Sequence, residues 1–437
     1  MHTISILLIA ISAFVAQLAF AAQTPESAPA VVLKAAHLFD SKTGRLSDNG
    51  VVVVQGDRIL SIGNASAAPA NARVIDLGDA TLLPGFIDAH VHLTSELQKD
   101  FFRAFHTDMF RFPVEQAHYA ARYAKRTLEA GFTTVRNLGA SDFIDIGLRN
   151  AINAGVIPGP RIIAAAHSIG STAGHCDNSP FPPDVIEPSG VIDGVCNGAD
   201  ECRAAVRYQM KWGADVIKIC ASGGVLSEAD PVDVPQLTPQ ELSAIVSEAH
   251  AWKKKVAAHS HGDAASRLAV EAGVDSIEHA SFLSDETLQL MKSKGTYLVP
   301  TRLAVFWVNQ EAAGFPPAIA EKARAAWSAH EKMFKSALRI GVPIAFGTDS
   351  GVSPHGMNAR EFALMVEIGM SPAAALLSGT RESAKLLGVD AEVGTLEAGK
   401  FADIIAVRGN VLADIAVTEK PLFVMKHGQV VVEPSAP

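Results

Sequence analysis

The stretch PGFIDAHVHL sets His90 and His92 on either side of one valine, at the end of an apolar run. Successive side chains of a strand alternate faces, so these two imidazoles point the same way. They either grip one metal ion or share a polar pocket. Further along, single polar residues interrupt other apolar runs: His167, Lys218, His259 with His261, His279 and Asp349. Neutral imidazole nitrogens and a carboxylate suit zinc or a similar divalent ion. An ammonium does not, so Lys218 needs its own account, and three are open. It is a buried lysine paired with Asp349, a base whose pKa burial depresses, or an amine turned by carbon dioxide into a carbamate that bridges two metals.

Such a set needs a scaffold that gathers strand ends. From Gly131 onward, short apolar β-rich runs alternate with segments of helical period. The runs are TTVRNLG (133–139), PRIIAAAHS (160–168), ADVIKICASGG (214–224), KVAAHSHG (255–262), DSIEHAS (275–281), TYLVPTRLA (296–304) and PIAFGTDSG (343–351). Intervening segments such as TPQELSAIVSEAHAW and SDETLQLMKSKG open with helix-start residues. Apolar strands alternating with helices imply an α/β fold with a parallel sheet covered by helices. With the FIDAHVH run there are eight strands, the number that closes a (β/α)8 TIM barrel. An open doubly wound sheet is the rival, but no glycine-rich phosphate loop follows a first strand. Catalytic groups of a barrel come from its C-terminal strand ends, where the residues above fall.

Residues 31–82 and 392–434 instead alternate and turn like antiparallel hairpins. The division expected is a small β-sandwich built from both chain ends (23–82 and 390–437) beside a hydrolase barrel over 83–389.

The 437 residues carry a formal net charge of −9 and no basic cluster, which excludes nucleic acid as a partner. Residues 1–22 read as a secretory signal, an uncharged apolar stretch from Ile4 to Phe20 ending in small residues, with cleavage after Ala21 or Ala22. An uncleaved anchor is the alternative. After cleavage the protein is expected to be secreted or periplasmic, with no membrane contact. Export permits disulfides. Cys176 is expected to pair with Cys196 or Cys202, and Cys220, on an apolar strand, to be a small buried residue.

The motifs PGFIDAHVH, GADVIKICASGG, AAHSHG, SIEHAS, AFGTDSG and GTLEAGKFADIIAV together resemble the amidohydrolase superfamily over nearly all the mature chain. The likeness is to its binuclear metal-dependent dipeptidase/carboxypeptidase branch, which includes ochratoxin-hydrolysing amidases and relatives often labelled imidazolonepropionase-like. The resemblance implies that His90, His92 and Asp349 hold one metal, His259 and His279 a second, and carboxylated Lys218 both. The two ions would be divalent, with zinc ahead of manganese or cobalt. It implies that a water shared by the two metals attacks, and that Asp349 moves its proton to the leaving amine. His261 and His167 are candidates to donate to the tetrahedral oxyanion, and Arg302, His355 and Asn358 to line the substrate mouth, with Arg302 on a substrate carboxylate. The substrate implied is a small amide or dipeptide cleaved next to a free carboxylate, an ochratoxin-type amide included, by a homo-oligomeric enzyme. Imidazolonepropionases lack the bridging lysine, so Lys218 argues against that activity. The alternatives are a mononuclear cyclic-amide hydrolase or deaminase, and a binding protein that has kept the fold.

Overall fold

The computed structural model describes residues 30–434 apart from 98–99, 101–102, 104–105, 108–109, 178–186 and 228–229. The leader expected over residues 1–22 lies outside the described residues, among which no helix is long and apolar enough to cross a membrane.

Strands β1 (Val31–Asp40), β2 (Arg45–Gln55), β3 (Arg58–Ile62), β4 (Arg73–Asp76) and β5 (Ala80–Pro84) open the chain. The parallel strands follow: β6 (Phe86–Val91), β7 (Phe132–Asn137), β8 (Arg161–Ala164), β9 (Val216–Cys220), β10 (Lys255–Ser260), β11 (Ser276–His279) and β12 (Tyr297–Val299). Between and after them run helices α1 (Pro113–Glu129), α2 (Ile144–Asn153), α3 (Ala199–Lys211), α4 (Pro239–Ala251), α5 (Asp263–Ala272), α6 (Asp285–Lys294), α7 (Arg302–Gln310) and α8 (Pro317–Ile340). The chain returns to β structure in β13 (Ile404–Arg408), β14 (Phe423–Lys426) and β15 (Gln429–Val432).

The two chain ends meet where β13 pairs antiparallel with β5, Ala80 opposite Arg408 and Pro84 opposite Ile404. They form one hydrogen-bonded sheet in the order β15-β14-β13-β5-β1-β2-β3, with β4 beside β1. The sheet curls: Ile59 N donates to Lys400 O (2.9 Å) and Ala402 N to Asp57 O (2.8 Å), so β3 closes onto the segment ahead of β13. Leu33, Val52, Ile59, Leu82, Ile404 and Phe423 fill the enclosed core. The two layers expected from the hairpin pattern are thus two limbs of one sheet.

The parallel strands make two sheets, β6-β7-β8 and β9-β10-β11-β12. Hydrogen bonds cross both gaps between them. On one side Asp215 N donates to Ala164 O (2.7 Å) and Ile169 N to Lys218 O (2.8 Å). On the other the stretch 343–350 lies between β12 and β6, with Leu298 N donating to Pro343 O (2.8 Å), Ala89 N to Phe346 O (2.8 Å) and Asp349 N to His90 O (2.7 Å). This stretch, expected as the eighth strand, makes single bridges rather than a ladder. Pro343 has no N–H to offer, and the left-handed backbone of Asp349 (φ 58°) breaks the pleat. Gly347 lets the stretch lie against β6, since a Cβ there would stand 2.3 Å from Val299 Cγ1 and 3.0 Å from His90 Cβ. All five residues of β9 are buried, and outward-facing Ile217 and Ile219 join the large core under the helices. The same alternation leaves Lys218 on the opposite face.

Candidate metal centre

Seven polar side chains gather at the C-terminal ends of these strands and of the stretch 343–350. His90 Nε2 and His92 Nε2 lie 3.4 and 3.3 Å from Asp349 Oδ1, and Lys218 Nζ is 3.4 Å from His90 Nε2. His259, His261 and His279 form a second group, and within each of the two groups the ligand atoms lie within 4.8 Å of one another. Ring centroids of His90 and His279, 5.1 Å apart, join the groups. His261 lies parallel to His279 at 5.0 Å, so it belongs to this second cluster.

A layer of partners beneath fixes how each ring presents itself. Glu278 Oε2 is 2.8 Å from His90 Nδ1, and Arg136 Nη2 donates to Glu278 Oε1 at 2.9 Å. The carbonyls of Gly139 and Gly223 accept from His92 Nδ1 (3.3 Å) and His259 Nε2 (3.1 Å). A carbonyl only accepts, so the opposite nitrogens, His92 Nε2 and His259 Nδ1, are left as lone-pair donors for a metal. The carboxylate under His90 does the same for its Nε2. His279 Nδ1 meets Thr301 Oγ1 at 2.7 Å, and His261 Nδ1 meets Ser281 Oγ at 2.9 Å. Alternation along β11 aims Glu278 inward, and the left-handed backbone at His279 (φ 71°) and Ala280 (φ 59°) brings the next residue in as well.

Burial pushes His90, His259 and His279 well below the ordinary imidazole pKa of 6.5, and His261 down to about 3. These rings are neutral at physiological pH, the form that binds metal. Lys218, 3 % exposed, is lowered from 10.5 to about 8 by burial, against the opposing pull of Glu278 and Asp349. Burial raises Asp349, but His90, His92 and Lys218 more than offset it and hold the carboxyl below its ordinary value. The donor set therefore fits divalent metal: neutral nitrogens, one ionised carboxylate and one amine that is readily uncharged.

The groups open into a cavity of about 670 Å³, lined by these rings and His167 and also by Val225, Leu226, Val305 and Val308. His167 Nε2 accepts from Asp142 N (3.2 Å). The structure does not bring Arg302, His355 and Asn358 to this cavity. Arg302 lies under α8, its guanidinium 3.5 Å over the Trp327 ring, and donates to Trp327 O at 3.2 Å. Left-handed Thr301 (φ 49°) starts α7 at once after β12 and turns Arg302 away from the strand end. His355 donates from Nε2 to Ser95 O (2.8 Å) and stacks on Tyr123. Asn358 Nδ2 donates to Asp88 Oδ2 (2.8 Å). Among the described lining residues Lys218 is the one basic side chain beyond imidazoles.

Sequence reasoning passed over four residues here. Glu278 and Arg136 were signalled by charge inside apolar strands. So was Asp88, fully buried and accepting from His90 N and Thr348 N, both at 3.1 Å. His175 lies 4.3 Å from the His259 ring, stacked on it, and had no strand-end signal.

The disulfides correct the expected pairing. Cys176 bonds Cys220, and Cys196 bonds Cys202. Cys220 is therefore a covalent anchor rather than a packing residue, tying the loop that carries His175 to β9 two residues beyond Lys218. By loop closure the 44-residue separation is worth about 4 kcal/mol, and the short second bridge about 2 kcal/mol. Denaturant unfolding of Cys176→Ser/Cys220→Ser should show the larger loss and Cys196→Ser/Cys202→Ser the smaller. The reverse order would contradict this assignment of weight.

Comparison with known proteins agrees with the geometry. The amidohydrolase family profile matches residues 81–431. Ochratoxinase of Aspergillus niger is 34% identical over 355 residues, 78% of this chain and 72% of that protein. Its crystal structure superposes with a TM-score of 0.83 at 30% identity, covering 94% of this chain and 98% of that one. The crystal structure of a Xaa-Pro dipeptidase with bound methionine in its active site gives a TM-score of 0.88 at 40% identity, over 92% of this chain and 99% of that one. Imidazolonepropionase of Cutibacterium acnes is 26% identical over 374 residues, 82% of this chain and 84% of that protein.

Proposed function

This chain belongs to the amidohydrolase family, and we propose that it is a binuclear metal-dependent hydrolase cleaving an amide or peptide bond next to a free carboxylate in a small molecule such as a dipeptide or N-acyl amino acid. On this reading a (β/α)8 barrel carries the centre at its C-terminal rim. The single observation that carries it is Lys218, a buried amine held 3.4 Å from His90 Nε2 and electrostatically coupled to both histidine groups. With its pKa near 8, roughly half of that amine is neutral at pH 8, against roughly three in a thousand for an ordinary lysine. Neutral Nζ attacks carbon dioxide, releases a proton and becomes an N-carboxylate.

His90, His92 and Asp349 would hold one ion, His259 and His279 the other, and modified Lys218 both. Two such ions, with zinc the first choice, supply a Lewis acid for the carbonyl and acidify the attacking water. Asp349, already ionised, accepts the water's proton and delivers it to the leaving nitrogen. His261 and His167 are the candidate donors to the developing oxyanion. The free-carboxylate part of the reading is supported by the likeness to the dipeptidase. The two disulfides suit an oxidising compartment, in keeping with a secreted or periplasmic enzyme.

The test is a screen of dipeptides and N-acyl amino acids against zinc-loaded protein, with metal counted per chain. A chelator should abolish turnover and added zinc restore it, at two ions per chain. One tightly bound ion with Lys218 unmodified would instead favour the mononuclear cyclic-amide hydrolase.

A further inference from the structure

The apolar part of the cavity lining comes from two helices and one turn. Val305 and Val308 come from α7, Ala323 and Ala326 from α8, and Val225 and Leu226 from the turn after β9. Val308, Ala323, Val225 and Leu226 belong to a single apolar cluster. The helices are held by their own cores, but the turn leaves the strand end and needs a separate anchor. Lys322 supplies it. Its ammonium donates to Ser227 O at 2.8 Å, to Gly224 O at 3.2 Å and to Asp230 O, with Asp230 Oδ1 at 3.9 Å. An ammonium has three protons and no acceptor, so three carbonyls satisfy it completely. At 16 % side-chain exposure it is shielded enough for these charge-assisted bonds to hold residues 224–227 in one shape.

We propose that Lys322 is a positioning residue for substrate selectivity: by clamping the Gly224 and Ser227 carbonyls it keeps Val225 and Leu226 as the wall of an alcove that receives an apolar side chain of the substrate. Small Ala323 and Ala326 leave the room, and the valines and Leu226 supply the contact. The clamp also reaches the metal centre, because Ser227 Oγ lies 3.1 Å from His175 Nδ1 and His175 stacks on His259. Metal content is therefore part of the test.

The kinetic readout rests on the hydrolase reading above, so a binding readout accompanies it. Lys322→Met keeps the stem and deletes the charge. Calorimetry on the zinc-loaded full chain should show L-leucine binding at least about tenfold tighter than glycine to the parent protein. Lys322→Met should lose about tenfold for leucine, leave glycine unchanged and keep the parent's metal content. In dipeptide hydrolysis the same variant should raise KM for leucyl over glycyl substrates with kcat within about twofold. In Lys322→Ala, methylammonium should restore the preference by refilling the carbonyl cradle. Equal binding of leucine and glycine by the parent would overturn the proposal. So would an intact preference in Lys322→Met, or a uniform loss accompanied by metal loss. A parent that hydrolyses nothing in the series but keeps the leucine preference rejects the hydrolase reading alone.

Discussion

Lys218→Ala is expected to lower turnover by at least about 10³-fold, the several kcal/mol that bridging two metals contributes to the transition state, while the protein stays folded. The folding part follows from burial. Lys218 is 3 % exposed, and a buried ammonium costs several kcal/mol unless fully compensated. Deleting it should leave Tm unchanged or raised. Metal per chain should fall below the parent's value, because on the proposed reading Lys218 serves both groups. Short carboxylates such as acetate should return part of the activity by entering the vacated space. The result also separates the three accounts of this lysine. A simple ion pair with Asp349 predicts lower stability with metal retained. A free amine base predicts loss of rate with metal retained and no dependence on bicarbonate. A carbamate predicts that protein stripped of metal and carbon dioxide at low pH regains activity only when zinc and bicarbonate are both supplied. Full activity in Lys218→Ala would sink the bridging role.

The centre was legible in the sequence wherever strand alternation alone decides a side chain's direction. His90 and His92 share a face by spacing, as do His259 and His261, and Lys218 stands out because β9 is otherwise apolar. Legibility failed where the backbone leaves the regular pleat. On β11 alternation admits Glu278 or His279 to the interior, and the left-handed turn at His279 admits both. The charge of Glu278 inside an apolar strand was a signal, but its place under His90 was not readable from alternation. The same conformation at Thr301 begins α7 three residues after β12 ends, which takes Arg302 from the strand end expected for it to a buried place beneath Trp327. Asn358, expected at the substrate mouth, instead donates to buried Asp88. The disulfide partner of Cys176 lay 44 residues away, across a strand crossing that composition does not encode. The β-rich ends were readable as hairpins, but their union through β5 and β13 depends on long-range register.

Asp349→Asn should cost about 10⁴-fold in kcat, because on the proposed reading one substitution removes a charged ligand and the proton carrier together; general acid–base catalysis alone is worth about 10²–10⁴. Asparagine is nearly isosteric, so its effect is chemical. Asp349 Oδ1 lies within 3.4 Å of the Nε2 atoms of both His90 and His92, and a neutral amide there both weakens ion binding and cannot take up a proton. The pH profile separates these losses. The folded pKa of Asp349 is held below the ordinary carboxylate value of 3.8, so the parent keeps an ionised base throughout the neutral range, and any stabilisation it adds is lost only as pH falls through that depressed pKa. Protonation of this group therefore cannot set an activity limb between pH 5 and 8; on the proposed reading such a limb reflects ionisation of the attacking water, or release of the metals or of the carbamate. If metal affinity were the whole effect, saturating zinc would restore Asp349→Asn to within about tenfold of the parent. With the proton carrier gone, the deficit should persist at full zinc occupancy and at every pH. It should narrow for substrates with better leaving groups, such as activated anilides, which need no proton delivered to the departing nitrogen. A deficit equal for anilides and ordinary amides would remove Asp349 from the proton path and leave it as a ligand.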